Sequence, residues 1–144
     1  MEEELAGPYL TIAVLCEKVL QEKDGVLSAI RIISQMNIVG PTDEMLPTPL
    51  ALTALVSFTA GFVTGKYIVR IRPISPSHHE MGGAQTPAFF EGQDRGVNLV
   101  FNLGLVLREE GIFWFEVLLQ DKLVTRIPLR VLYQKAGPGF PPMQ

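Results

Sequence analysis

Three observations on this chain predict an all-β fold, an antiparallel two-layer sandwich with Greek-key connectivity. Apolar residues recur at every second position over most of the sequence, the spacing that sends alternate side chains to one face of a strand. The 11 prolines and 13 glycines fall mostly between the alternating runs. Helix evidence is thin: the one candidate, Cys16 to Lys23, is cut short by Asp24-Gly25. About eight short strands with turn signals between them are the pattern of sandwiches and barrels, so a closed β-barrel is the alternative.

Taken in order, Leu10, Ile12, Val14 and Cys16 form one parity of a first strand. Lys23-Asp24-Gly25 then reads as a hairpin turn, because Gly25 can take the positive φ that closes it. Val26, Ile30, Ile32, Met36 and Ile38 define a second strand. Leu50, Leu52, Ala54, Val56, Phe58, Ala60 and Phe62 share one parity of a long third, and Tyr67, Val69 and Ile71 continue after Thr64-Gly65. A two-residue turn there would pair Phe62 with Tyr67 and Phe58 with Ile71.

Between Pro73 and Gly96 the alternation lapses. Pro73, Pro76 and Pro87, with Gly82-Gly83, mark a long crossover (73–96), of the kind a Greek key uses to change sheets. Ala88-Phe89-Phe90-Glu91 is a possible short strand within it. Three clear strands follow: Val97 to Leu107, Phe113 to Leu119, and Leu123 to Tyr133. With Gln120-Asp121-Lys122 as the last loop, Glu116 sits opposite Arg126, Trp114 opposite Pro128 and Ile112 opposite Arg130. The chain thus divides into an N-terminal tail (1–8), one sandwich domain (9–134) and a Pro/Gly-rich C-terminal tail (135–144).

Composition narrows the function classes. Hydrophobic residues make up 47% and charged ones 19%, which argues against intrinsic disorder. A net charge of −3 gives no electrostatic case for nucleic acid. The single cysteine, Cys16, excludes an internal disulfide and a cysteine-based zinc site, and its parity makes it a buried, inert thiol. Met45 to Gly65 carries no charge and is long enough to span a bilayer, but Pro47, Pro49 and the alternation oppose that reading. The acidic Met1-Glu2-Glu3-Glu4 is unlike a secretory signal, so the expectation is a cytoplasmic protein without a membrane partner.

No catalytic constellation is present: there is no Gly-x-Ser-x-Gly elbow and no phosphate-cradling glycine loop. No cofactor is expected. His78-His79-Glu80 is the one cluster of metal-ligand types, and neighbouring His residues on an extended chain point apart, so no metal site is expected either. Two candidate sites remain. One is the outward face of the last hairpin, where Trp114 lies beside Arg126, Arg130 and Glu116; Trp and Arg on a strand face are the composition of interface anchors. The other is a ligand site in the 73–96 loop, built from His79, Asp94 and Arg95, although the favoured reading of Glu91, Asp94 and Arg95 is a loop-stapling ion pair. Lys66, Arg70, Arg72, Arg126 and Arg130 would form one basic face if their strands shared a sheet.

Glu109-Glu110-Gly111-Ile112-Phe113, between two strong strands, resembles the corner between late strands of immunoglobulin-like domains. There the aromatic is a Tyr whose hydroxyl bonds to the backbone; Phe113 has none, so this corner is expected to be held by packing alone. An immunoglobulin-like or C2-like sandwich is therefore the preferred variant. Val14-Leu15-Cys16-Glu17-Lys18-Val19-Leu20, Lys23-Asp24-Gly25-Val26-Leu27-Ser28, Gly65-Lys66-Tyr67, Phe90-Glu91-Gly92, Gly111 to Leu119 and Arg126-Ile127-Pro128-Leu129-Arg130-Val131 also resemble a family of small bacterial proteins, over roughly Leu10 to Tyr133. That family is a domain of unknown function; the resemblance implies a bacterial origin and a small standalone domain, and supplies no catalytic residues.

The functional expectation is a non-catalytic binding or assembly module, with a homo-oligomer or another protein as partner. A small enzyme or ligand binder using the 73–96 loop is the alternative. Ile68, Val100, Val106, Ile112, Trp114, Leu118 and Val124 fall on the supposedly polar parity, an excess that implies a second covered surface.

Overall fold

The computed structural model describes residues 6–137. The acidic start and most of the Pro/Gly-rich tail lie outside the described residues. Nine strands follow in order: β1 Tyr9–Gln21, β2 Leu27–Ile32, β3 Gln35–Gly40, β4 Thr48–Thr59, β5 Thr64–Ile74, β6 Ala84–Glu91, β7 Gly96–Leu107, β8 Gly111–Leu119 and β9 Lys122–Lys135.

They form two sheets, ordered β2-β1-β4-β7 and β3-β9-β8-β5-β6. Every neighbouring pair is antiparallel except β3 with β9. Each sheet keeps its own two edge strands, so the fold is an open sandwich and not a closed barrel. The order β1-β4-β7 facing β5-β8-β9 is the A-B-E and C-F-G arrangement of immunoglobulin-like domains, with β6 added beyond C. Alternate residues of the two inner faces interdigitate in the core, among them Leu15, Val56, Phe58, Val69, Ile71, Leu107, Phe113, Phe115, Leu129 and Val131. Phe90 packs edge-on against Phe58 and Tyr67, at centroid distances of 6.0 and 5.4 Å.

Several expected elements are rearranged. Cys16–Gln21 is the extended end of β1 and not a helix; the β1–β2 hairpin does turn at Gly25, whose φ is +88°. The expected strand over 26–38 splits into β2 and β3, which lie in different sheets. Arg31 takes a positive φ of 56° within β2, and the chain leaves the first sheet after Ile32: Ile33 N–H still donates to Leu15, and Arg130 N–H donates to Ser34 on the far side of the break.

β4 and β5 do not form the expected hairpin. Ala60 to Val63 carry the chain from one sheet to the other, Phe62 is 76% exposed, and Tyr67 pairs with Ala88 instead. Phe58 and Ile71 share the core from opposite sheets. A bulge between Leu10 and Ile12 also shifts parity in β1, so Leu10, Ala13 and Leu15 face the core and Ile12 is exposed.

The 73–96 segment is not one long crossover. It contains the end of β5, a loop over 75–83, the strand β6, and the short Gly92–Arg95 link that changes sheets. Pro87 is tolerated in β6 because β6 is an edge strand.

Candidate partner-binding face

β5, β8 and β9 lie side by side, so their outward residues make one continuous face. Registration sets them in rows: Arg72, Glu116 and Arg126; Ile74, Trp114 and Pro128; then Ile112 and Arg130 beside Gln35 of β3. The three cross-strand pairs expected for the last hairpin are all present. The loop itself is tighter than expected. Gln120 and Asp121 alone form it, both at positive φ, and a bulge after Val117 restores the register. The Gln120 side-chain oxygen accepts the Ile68 N–H at 2.6 Å, tying this turn to β5.

Glu116 pairs differently from expectation. It faces Arg126 but bonds to Arg72, whose Nε and Nη2 lie 2.8 and 2.7 Å from Glu116 Oε1 in a partly buried contact. Arg126 is thereby left to stack on Trp114, its guanidinium carbon 4.2 Å from the ring centroid. The flat guanidinium suits the indole face, and this cation–π contact contributes roughly 0.5–1 kcal/mol at an exposed site. Farther along, Arg70 pairs with Glu80. Among the described residues, Arg126 and Arg130 form no ion pair, so the middle of the face carries an indole and two arginines without carboxylate partners.

The second predicted site does not assemble. His79 lies in the loop beyond the C-terminal end of β5, whereas Asp94 and Arg95 lie beyond its N-terminal end, opposite Thr64 and Glu91. An 11-residue strand separates them by about 35 Å, too far for one ligand site. Arg95 instead pairs with Glu91 at 2.9 Å, both well exposed, as a loop staple. His79 belongs to a hydrogen-bonded loop: its Nδ1 is 3.0 Å from Ser77 Oγ, which donates to Glu109 at 2.6 Å. Among the described residues no three His, Cys, Asp or Glu side chains group as metal ligands.

That loop also corrects the corner before β8. Gly111, at φ +127°, lies so close to Pro76 that an added Cβ would approach it at 2.8 Å. Phe113 is buried beneath, as expected. Carboxylates replace the missing tyrosine hydroxyl: Glu109 receives Ser77, and Glu110 receives the Tyr133 N–H at 2.7 Å. Hydrogen bonds as well as packing therefore hold the corner. Cys16 is fully buried, and burial pushes its thiol pKa up, away from the nucleophilic form.

Two features of the face were not evident from alternation. Which arginine Glu116 engages depends on β5 being its neighbour, and that is a matter of sheet order. The stacking of Arg126 follows from its diagonal relation to Trp114 across β8 and β9, which the predicted register already contained.

A family model matches residues 11–132, and its description is a family of unknown function (DUF6941). No curated protein matches. Among solved structures, an immunoglobulin-like protein from Pseudomonas aeruginosa aligns over 88% of this chain and 98% of its own, at 8% identity and TM-score 0.41. A β-glucosidase from Listeria innocua in complex with glucose aligns over 86% of this chain, at 11% identity and TM-score 0.47; the chain spans only 16% of that enzyme. An alkylpurine DNA glycosylase from Pseudomonas fluorescens, bound to DNA, aligns at 10% identity and TM-score 0.40, with the chain spanning 30% of it. At these scores the likenesses carry no functional weight. Among the described residues no helix is long and apolar enough to cross a membrane.

Proposed function

The chain belongs to the DUF6941 family of unknown function, and from its own surface we propose that it is a non-catalytic binding module of the bacterial cytoplasm. Its partner is a protein that docks an acidic segment on the outward face of β5, β8 and β9. The observation that carries this reading is the partly exposed indole of Trp114 under the Arg126 guanidinium, with Arg130 and Ile112 in the next row. A flat aromatic flanked by apolar area anchors a partner through burial, and the two arginines without ion pairs supply bidentate donors for carboxylates. Glu116 does not compete for them, because Arg72 occupies it.

Truncation of a Trp or Arg anchor commonly costs about 2 kcal/mol or more, roughly a 30-fold loss in affinity. Affinity purification from native cells should therefore recover a partner with the wild-type chain that Trp114→Ala and Arg126→Glu both lose. Trp114 is the one tryptophan in the sequence, so its emission should shift to the blue when the purified partner binds. An identical set of co-purifying proteins for wild type and both variants would sink this face.

A further inference from the structure

The outward face of the other sheet has the opposite character. β4 and β7 pair over all their length, from Thr48↔Leu107 to Thr59↔Gly96. Their core-facing residues are Leu50, Leu52, Ala54, Val56 and Phe58, with Leu99, Phe101, Leu103 and Leu105. Outward lie Pro49, Ala51, Thr53, Leu55 and Ser57 on β4, of which Thr53, Leu55 and Ser57 are already buried, and Asn98, Val100, Asn102, Gly104 and Val106 on β7. β1 adds Ile12 and Val14, opposite Ser57 and Leu55. None of these residues is charged, the charge on their parity being Lys18 farther along β1, whereas the other sheet's outer face carries Lys66, Arg70, Arg72, Glu116, Arg126 and Arg130.

The polar groups on this face bond to one another. Ser57 donates to Asn98 at 2.7 Å and Thr53 to Asn102 at 3.3 Å, across the β4–β7 pair. These hydroxyls would keep their partners if water were removed, which lowers the desolvation cost of covering the face. Val100 and Val106 stand 43% and 41% exposed among them.

Gly104 is the second, independent observation. It lies mid-strand with no positive φ, and a Cβ built on it would meet nothing within 4 Å. Nothing within the chain requires a glycine there, and glycine in a strand interior costs roughly 0.5–1 kcal/mol. With open space above it, such a glycine leaves room for another backbone to approach closely. With Ala51 directly opposite, it leaves a dent in the face, two positions from the Asn102 row, and Val100 is a knob two positions to the other side.

A dent and a knob equidistant from one row on one strand are self-complementary. We propose that this face is a homodimer interface, two copies packing first sheet on first sheet. The two-fold axis lies between the sheets, perpendicular to the strands and level with Asn102. β7 then runs antiparallel over its copy, and Val100 of each copy enters the Gly104 dent of the other, the reciprocal contact an isologous interface requires. Twelve paired positions on β4 and β7, with β1 alongside from Tyr9 to Cys16 only, cover roughly 500 Å² per copy at about 3.3 Å per residue and 4.8 Å per strand. The total of about 1,000 Å² sits at the lower limit for a specific interface, and sheets stacked this way align within about 30°.

Light scattering and sedimentation of the full chain test this. The expected mass is twice the 15.9 kDa of one chain. Gly104→Val fills the dent without an internal clash, and Val100→Lys places a charge on the knob. Each should weaken association at least tenfold, and at concentrations low enough for both to be single chains Gly104→Val should unfold no earlier than wild type. A single-chain mass at every concentration up to about 100 µM would overturn the proposal, since a weaker contact would not count as a stable dimer. So would a doubled mass that both variants preserve.

Discussion

Cys16 stands where β1 leaves β4, opposite Thr53 on one side and Ile32 on the other. Its burial was anticipated from its parity, yet it arises otherwise: the bulge after Leu10 turns that parity away from the central core, and Cys16 is buried outside it. The consequence for pH can be worked out. Burial raises the thiol pKa in the folded chain, while in the unfolded chain it titrates near ~8.5. Above that pH the unfolded chain loses a proton the folded chain retains, so stability is complete below it and falls as pH rises toward the folded value. The slope is at most about 1.4 kcal/mol per pH unit. Urea unfolding between pH 7.5 and 9.5 should show the stability advantage of wild type over Cys16→Ala shrinking. A constant difference across that range would mean that the thiol ionises as readily folded as unfolded.

Individual strands were legible because alternation reports which side chains share a face, and β4, β5, β7, β9 and β8 up to its bulge keep that alternation. The β8–β9 register was legible too, since two strands joined by a tight loop have little freedom in how they pair. Sheet membership was not. Phe58 and Ile71 look alike in the sequence whether they face the core from adjacent strands or from opposite sheets. Arg31 at positive φ and the β1 bulge are equally hidden, because neither Arg nor Thr11 signals a bend. The parity shift makes the prediction that belongs to this scale. Ile12, assigned to the core by alternation, is 43% exposed, whereas Leu15 is fully buried. In the single-chain Gly104→Val background, Ile12→Thr should cost under about 0.5 kcal/mol, and Leu15→Ala about 2–4 kcal/mol. Comparable losses for the two in denaturant unfolding would put Ile12 back in the core.

Across the whole molecule, charge is sorted between the outer faces, and the apolar excess noted in the sequence divides along the same line. Ile68, Ile112, Trp114, Leu118 and Val124 lie on the cationic sheet, and Val100 and Val106 on the uncharged β4–β7 face of the other. The predicted partner-binding residues Trp114, Glu116, Arg126 and Arg130 come together on one face, while the loop ligand candidates His79, Asp94 and Arg95 do not meet. A sandwich keeps its two outer faces apart by two sheets about 10 Å from one another, with a packed core between. Substitutions on opposite faces share no partner, so their effects should add. Arg126→Glu with Arg130→Glu should abolish partner capture while the chain keeps its doubled mass. Gly104→Val should halve the mass and leave each single chain able to bind the partner with unchanged intrinsic affinity. If the arginine variants also lost the dimer, the uncharged face would not be the seat of self-association, because those side chains lie across the core from it. If Gly104→Val alone lost the partner, binding would need two copies side by side, and the partner would have to be long enough to bridge cationic faces on opposite sides of the dimer.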